Sequence, residues 1–293
     1  MDSPIVILLP GLMRTKWSML RIARHIKKEL QLEAYCLAYP GRVSLLAAAE
    51  QTAHHVQKLA KGREVIAVVH SMGGIILRYM MMLPNQGGIQ WRSSLLLAVP
   101  NHGSALAKRI SDSTVLRAGM QVLCGKAACR ALVPDHETLT TWPLPPQPCA
   151  VIAGTRSFEW FNPECWIAKM LNALPGPSDG TVLVEEARLQ EADMAGFATV
   201  PVGHTVIMDD PAVLAMAIAF IKTSSLAMGP SFNHDQRYDA LLVGTPHEQG
   251  KKEYGSQGMS TLAEGALSEP KTHQSKGAIL CKGSHLSASL VQF

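Results

Sequence analysis

Short apolar runs and amphipathic stretches alternate through the N-terminal third of the chain, and this alternation constrains the fold more than any other feature. Ile5 to Leu9 is a continuous apolar run closed by Pro10-Gly11, the pattern of a strand buried on both faces. Trp17 to Leu30 then places Leu20, Ala23, Ile26 and Leu30 on one helical face, with Arg and Lys side chains opposite. The cycle repeats as a strand over Glu33 to Tyr39, a helix over Leu45 to Ala60 and a strand over Glu64 to Val69. A helix over Gly73 to Met82 and a strand over Ser94 to Val99 continue it. Strands joined through helices run parallel and carry helices on both sheet faces. The expectation is an α/β fold with a mostly parallel sheet of about six strands.

Beyond this region the rhythm loosens. Asn101 to Gln147 holds helical stretches at Ala105 to Ile110 and Thr114 to Cys124 and leaves through Pro143, Pro145, Pro146 and Pro148. Cys149 to Ala153 resumes the sheet. Gly154 to Ser178 reads as irregular and carries Trp160, Phe161 and Trp166. Thr199 to Val202 reads as the last strand and Pro211 to Lys222 as the last helix, with Pro at its first position. From Gly229 the composition turns to Gly, Ser, His and Lys. Residues 1–228 are therefore expected to form the globular domain. Residues 229–293 are expected to be a disordered or loosely attached tail, too poor in apolar surface to offset the entropy of ordering.

Composition excludes several function classes. Apolar residues are 47% and charged residues 17% of the 293, which suits a buried core and not a disordered chain. The net charge is only +4 and aromatic residues are 5%, so no nucleic-acid partner is expected. Arg21, Arg24, Lys27 and Lys28 repeat at helical spacing and read as a solvated face. No transmembrane segment is readable, because no run approaches the ~18 apolar residues a span needs. Transient contact with a membrane surface stays open. No secretory leader is readable either, so a cytoplasmic location is expected. Cys36, Cys124, Cys129, Cys149, Cys165 and Cys281 form no C-x-x-C pair and are expected as free thiols, with a Cys124–Cys129 bridge the alternative in an oxidising compartment. No metal-ligand cluster, phosphate loop or dinucleotide fingerprint occurs, so neither metal nor cofactor is expected.

The strongest chemical signal is His70-Ser71-Met72-Gly73-Gly74, set between an apolar strand and a helix. A Ser on such a sharp strand-to-helix turn is lifted clear of the sheet, and the following N–H groups face the same space. This run, continued by Arg78-Tyr79, resembles the lipase and esterase branch of the α/β-hydrolase superfamily. Within it, the run is similar to bacterial triacylglycerol lipases and inositol deacylases of lipid anchors. The departures are Val69, where the family has a small residue, and Pro10, where the first loop usually has His.

The resemblance implies a minimal hydrolase fold without the leading antiparallel strands, covering roughly residues 4–222. It implies that Ser71 is the nucleophile and that an acid and then a His follow in the chain. Asp179 in Ser178-Asp179-Gly180 and His204 in Gly203-His204-Thr205 match that order, with Asp193, Asp209 and Asp210 as reserve acids. It places the oxyanion donors at the backbone N–H groups of Leu12 and Met72. Segments 103–147 and 155–178 become cap or pocket walls. His70, His102, Trp160 and Phe161 become pocket-lining side chains, with His102 ordering its loop. The implied activity is cofactor-free hydrolysis of a carboxylic ester, with a small-molecule or lipid ester as substrate. An acyltransferase using the same groups, and a catalytically silent binding protein on the same fold, are the alternatives.

Overall fold

The structure, a computed structural model, describes residues 2–125, 132–133 and 142–226. The expected tail, Cys129 and Cys281 lie outside the described residues, as does the side chain of Cys124.

The strands are β1 (Ile5–Leu9), β2 (Ala34–Cys36), β3 (Val65–His70), β4 (Trp91–Leu97), β5 (Cys149–Gly154) and β6 (Gly196–Val200). They form one six-stranded sheet in the order β2-β1-β3-β4-β5-β6. Every neighbouring pair is parallel. β1 and β3 are buried along their whole length, which is why they read as unbroken apolar runs. The edge strands β2 and β6 are only half-buried and are shorter or more polar.

Successive side chains of a strand point to opposite faces. Ile5, Ile7 and Leu9 enter one core with α2 (Leu45–Ala60) and α3 (Met72–Met81). Val6 and Leu8 enter the other, with α1 (Leu20–Leu30) and the last helix (Pro211–Leu226). Ser44 caps α2 by accepting from the Ala47 N–H at 3.2 Å, and Gln31 closes α1 in the left-handed region at φ 56°.

The boundaries differ from expectation where long-range polar contacts decide them. The last helix runs on to Leu226, past the polar Thr223-Ser224-Ser225. Arg92 at the start of β4 holds its end, donating to the carbonyls of Ser224 at 2.7 Å and Ser225 at 2.8 Å. The stretch expected to be irregular after β5 contains a helix, Pro163–Met170. Its signal was Asn162-Pro163, a capping residue followed by Pro at the first helical position.

Both long insertions follow carboxyl ends of strands. The first supplies α4 (Ala105–Asp112) and α5 (Thr114–Cys124). The second supplies the Pro163–Met170 helix. They dock through a small apolar cluster of Leu106, Ala168 and Ala173, with Ile110, Ile167 and Leu171 around it. Arg78 on α3 anchors the return of the first insertion, donating to the carbonyls of Trp142 at 3.2 Å and Pro143 at 3.0 Å.

Candidate active site

Ser71 terminates β3 with φ 49° and ψ −123°, a conformation that costs free energy for a residue with a side chain. Close packing imposes that turn. A Cβ on Gly73 would lie 2.5 Å from the Leu9 carbonyl oxygen, and one on Gly74 would lie 2.5 Å from Val99 Cγ1. Only glycines let α3 begin this near β1. Val69 is fully buried in the core and pairs with Leu9 across the sheet, so the turn forms with Val at that position. Met72 is the first residue of α3, where an N–H has no partner within its helix.

The Gly203-His204-Thr205 turn after β6 brings His204 to Ser71. His204 Nδ1 is 2.7 Å from Asp179 Oδ2, and His204 Nε2 is 3.0 Å from Ser71 Oγ. A carboxylate only accepts, so Nδ1 carries the proton and Nε2 receives the Ser71 hydroxyl. Asp179 is 1% exposed. Its Oδ1 accepts from the Thr181 N–H at 3.0 Å and the Val182 N–H at 2.7 Å, which leaves Oδ2 aimed at the ring. The His204 N–H donates to the Asp179 carbonyl at 3.0 Å, so the two turns are joined through backbone as well. The structure thus brings Ser71, His204 and Asp179 into one hydrogen-bonded line. Among the reserve acids, Asp210 caps the last helix, accepting from the Ala212 N–H at 2.9 Å.

Three further side chains grip the His204 turn, and the sequence did not single out two of them. His70 Nε2 donates to the His204 carbonyl at 3.0 Å, and the two rings lie 4.7 Å apart. Burial, then the neighbouring His204 and Arg14, hold the His70 pKa well below its ordinary value, so the ring is neutral. Glu159, 4% exposed, accepts from the Thr205 hydroxyl at 2.6 Å. Arg14 donates to the Thr205 carbonyl. No sequence pattern marks Glu159 or Arg14; their partners lie in a distant turn.

An apolar cleft opens over Ser71. It holds about 930 Å³ of empty space, solvent at its mouth included. Leu106 and Ile110 of α4, Met120 of α5 and Ile167 of the second insertion wall it, and Leu12, His70 and His204 lie at its floor. Three expected lining residues are elsewhere. His102 is exposed, and its N–H donates to the Glu186 carbonyl at 3.1 Å. Trp160 and Phe161 point outward, 77% and 52% exposed, and meet edge to face with ring centres 5.8 Å apart. The positions flanking the pair, Glu159 and Asn162, are the ones turned inward there, and the aromatic rings between them face solvent.

Cys36 and Cys149 are free thiols. Burial pushes Cys36 up to about 11 and Cys149 up to about 12, so neither is a ready nucleophile. Among the described residues no group of three or more His, Cys, Asp or Glu side chains could hold a metal ion, and no helix is long and apolar enough to cross a membrane.

A parallel sheet covered on both faces, with a strained serine turn at the end of a central strand, is the arrangement of the α/β-hydrolase fold. No family model and no curated protein sequence matches the chain. Solved structures do match. The mature form of the Bacillus licheniformis lipase BlEst2 superposes with a TM-score of 0.59 at 19% identity, covering 76% of this chain and 92% of that one. A metagenomic carboxyl esterase superposes at 0.53 with 18% identity, covering 71% and 66%. Phospholipase PlaB from Legionella pneumophila superposes at 0.50 with 20% identity, covering 64% of this chain and 44% of that one. At these identities the likeness is one of fold.

Proposed function

We propose that the protein is a serine hydrolase of carboxylic esters, acting on esters with an apolar acyl group. The observation that carries this reading is the Ser71–His204–Asp179 line, with spacings of 3.0 Å and 2.7 Å, at the floor of an apolar cleft. Ser71 Oγ attacks the ester carbonyl carbon while its proton passes to His204 Nε2. The carbonyl oxygen becomes an oxyanion and takes hydrogen bonds from the N–H groups of Leu12 and Met72. His204 then delivers the proton to the departing alcohol, leaving an acyl group on Ser71. Water, deprotonated by the same ring, releases the acid. Asp179 holds the ring in the tautomer that accepts at Nε2 and stabilises the imidazolium as it forms. No cofactor enters these steps.

The test is covalent labelling with a fluorophosphonate probe. The wild-type protein is expected to label at Ser71 and to hydrolyse p-nitrophenyl esters. Ser71→Ala is expected to lose labelling and at least about a thousandfold in kcat while remaining folded. Retained labelling at another serine would overturn the assignment. For the acyl group, kcat/KM is expected to rise from acetate towards longer chains until the cleft is full, by up to about fourfold per methylene, the equivalent of ~0.8 kcal/mol. A steady fall from acetate would leave a small-ester hydrolase and remove the lipid reading.

A further inference from the structure

The apolar wall of the cleft accounts for an acyl chain but not for its charged side chains. Arg14 and Arg117 line the cleft, and among the described residues no carboxylate does. Arg14 sits two residues beyond Leu12 on the turn closed by its own N–H donating to the Gly11 carbonyl at 3.2 Å. Its terminal nitrogen reaches the Thr205 carbonyl, while its Nε is buried with no hydrogen-bond partner. Glu159 and Asp209 lie in the neighbourhood, yet among the described residues Arg14 forms no ion pair. A buried guanidinium N–H without an acceptor is costly, and packing leaves it unexplained.

Position gives it a role. His204 must hand its proton to the departing alcohol, so the alcohol part of the ester lies on the His204 side of Ser71. Arg14 is fastened to Thr205, the next residue, and so stands on that side. The acyl wall of Leu106, Ile110 and Ile167 is supplied separately, by the insertions. We propose, resting on the hydrolase reading above, that the substrate joins an apolar acyl chain to an alcohol bearing an anionic oxygen group, a phosphate or a carboxylate, which the Arg14 guanidinium receives. A guanidinium presents fixed, charge-assisted donors to such a group, and a low-dielectric wall beside it strengthens the contact. Arg117 is exposed and also donates to the Ser111 carbonyl at 3.1 Å, so it adds long-range attraction more than a fixed contact.

The experiment compares three octanoyl esters on the full chain, those of glycerol, glycerol 3-phosphate and glycerate. Wild-type kcat/KM is expected to be at least about tenfold higher for one or both anionic esters than for the glycerol ester at low salt. The ratio is expected to shrink as ionic strength rises. The phosphate and carboxylate arms tell which oxyanion is preferred. Arg14→Gln is expected to bring the anionic-to-neutral ratio close to one whatever happens to the absolute rates, and Arg14→Lys to keep part of it. If Arg14→Gln does not fold, the wild-type protein decides alone. Octyl phosphate is then expected to inhibit p-nitrophenyl octanoate hydrolysis at concentrations about tenfold or more below those of octanol. Equal rates on neutral and anionic esters, or an unchanged ratio in Arg14→Gln, would overturn this inference and leave the hydrolase reading standing. No turnover of any ester and no labelling of Ser71 would overturn both.

Discussion

His70 stands one residue before the candidate nucleophile, yet its hydrogen bond goes to backbone of another turn. By donating to the His204 carbonyl it ties the serine turn to the histidine turn across 134 residues of sequence. The contact by itself favours a charged ring, but burial outweighs it and keeps the ring neutral. A histidine whose folded pKa lies below its ordinary 6.5 binds fewer protons when folded than when unfolded. Stability is then complete above about pH 6.5 and declines as the pH falls through that value, because the unfolded chain takes up the proton first. The difference in unfolding free energy between wild type and His70→Gln is therefore expected to narrow on going from pH 7.5 to pH 5.5, measured by urea denaturation at each pH. A difference that widened on acidification would mean that His70 is charged in the folded state.

At the level of elements, the site depends on strand ends approaching turns more closely than a side chain allows. Gly154 ends β5 between the two turns that carry Asp179 and His204. A Cβ there would fall 2.4 Å from the Val202 carbonyl oxygen and 2.7 Å from Asp179 Cβ. Both contacts are to groups that cannot swing aside. Gly154→Ala is expected to cost about 1–3 kcal/mol of stability, in the range of core overpacking, and to lower kcat by displacing Asp179 from His204. Urea titration and p-nitrophenyl ester kinetics read the two effects. An active, equally stable variant would show that the Asp179 turn moves freely. The alternation of apolar runs and helical faces made most of these elements legible. It did not reveal the Pro163–Met170 helix, whose exposed Trp166 and Met170 blur any apolar stripe. It also placed the end of the last helix four residues early, because Arg92 supplies the capping from a strand distant in sequence.

For the whole molecule, every residue proposed to act on the substrate lies before residue 206, and the last helix completes the second core through Val213, Leu214, Ala217 and Ile221. Truncation after Met228 is therefore expected to preserve soluble expression and ester turnover, whereas truncation before Pro211 is expected to abolish both. Aggregation of the first truncation would show that residues 229–293 contribute to the fold. By itself the sequence determined the class of fold, the serine turn and its glycines, and the order in which serine, acid and histidine occur. Those features are local: burial on two faces makes a strand uniformly apolar, and a strained turn beside a helix start demands small residues at fixed offsets. Only the tertiary structure decided that the sheet runs β2-β1-β3-β4-β5-β6. Only it decided that Trp160 and Phe161 face solvent while Glu159 turns inward, and that Arg14 reaches Thr205 across 191 residues. Periodicity reports whether a position is buried, whereas a polar contact depends on which distant turn the packed helices bring alongside.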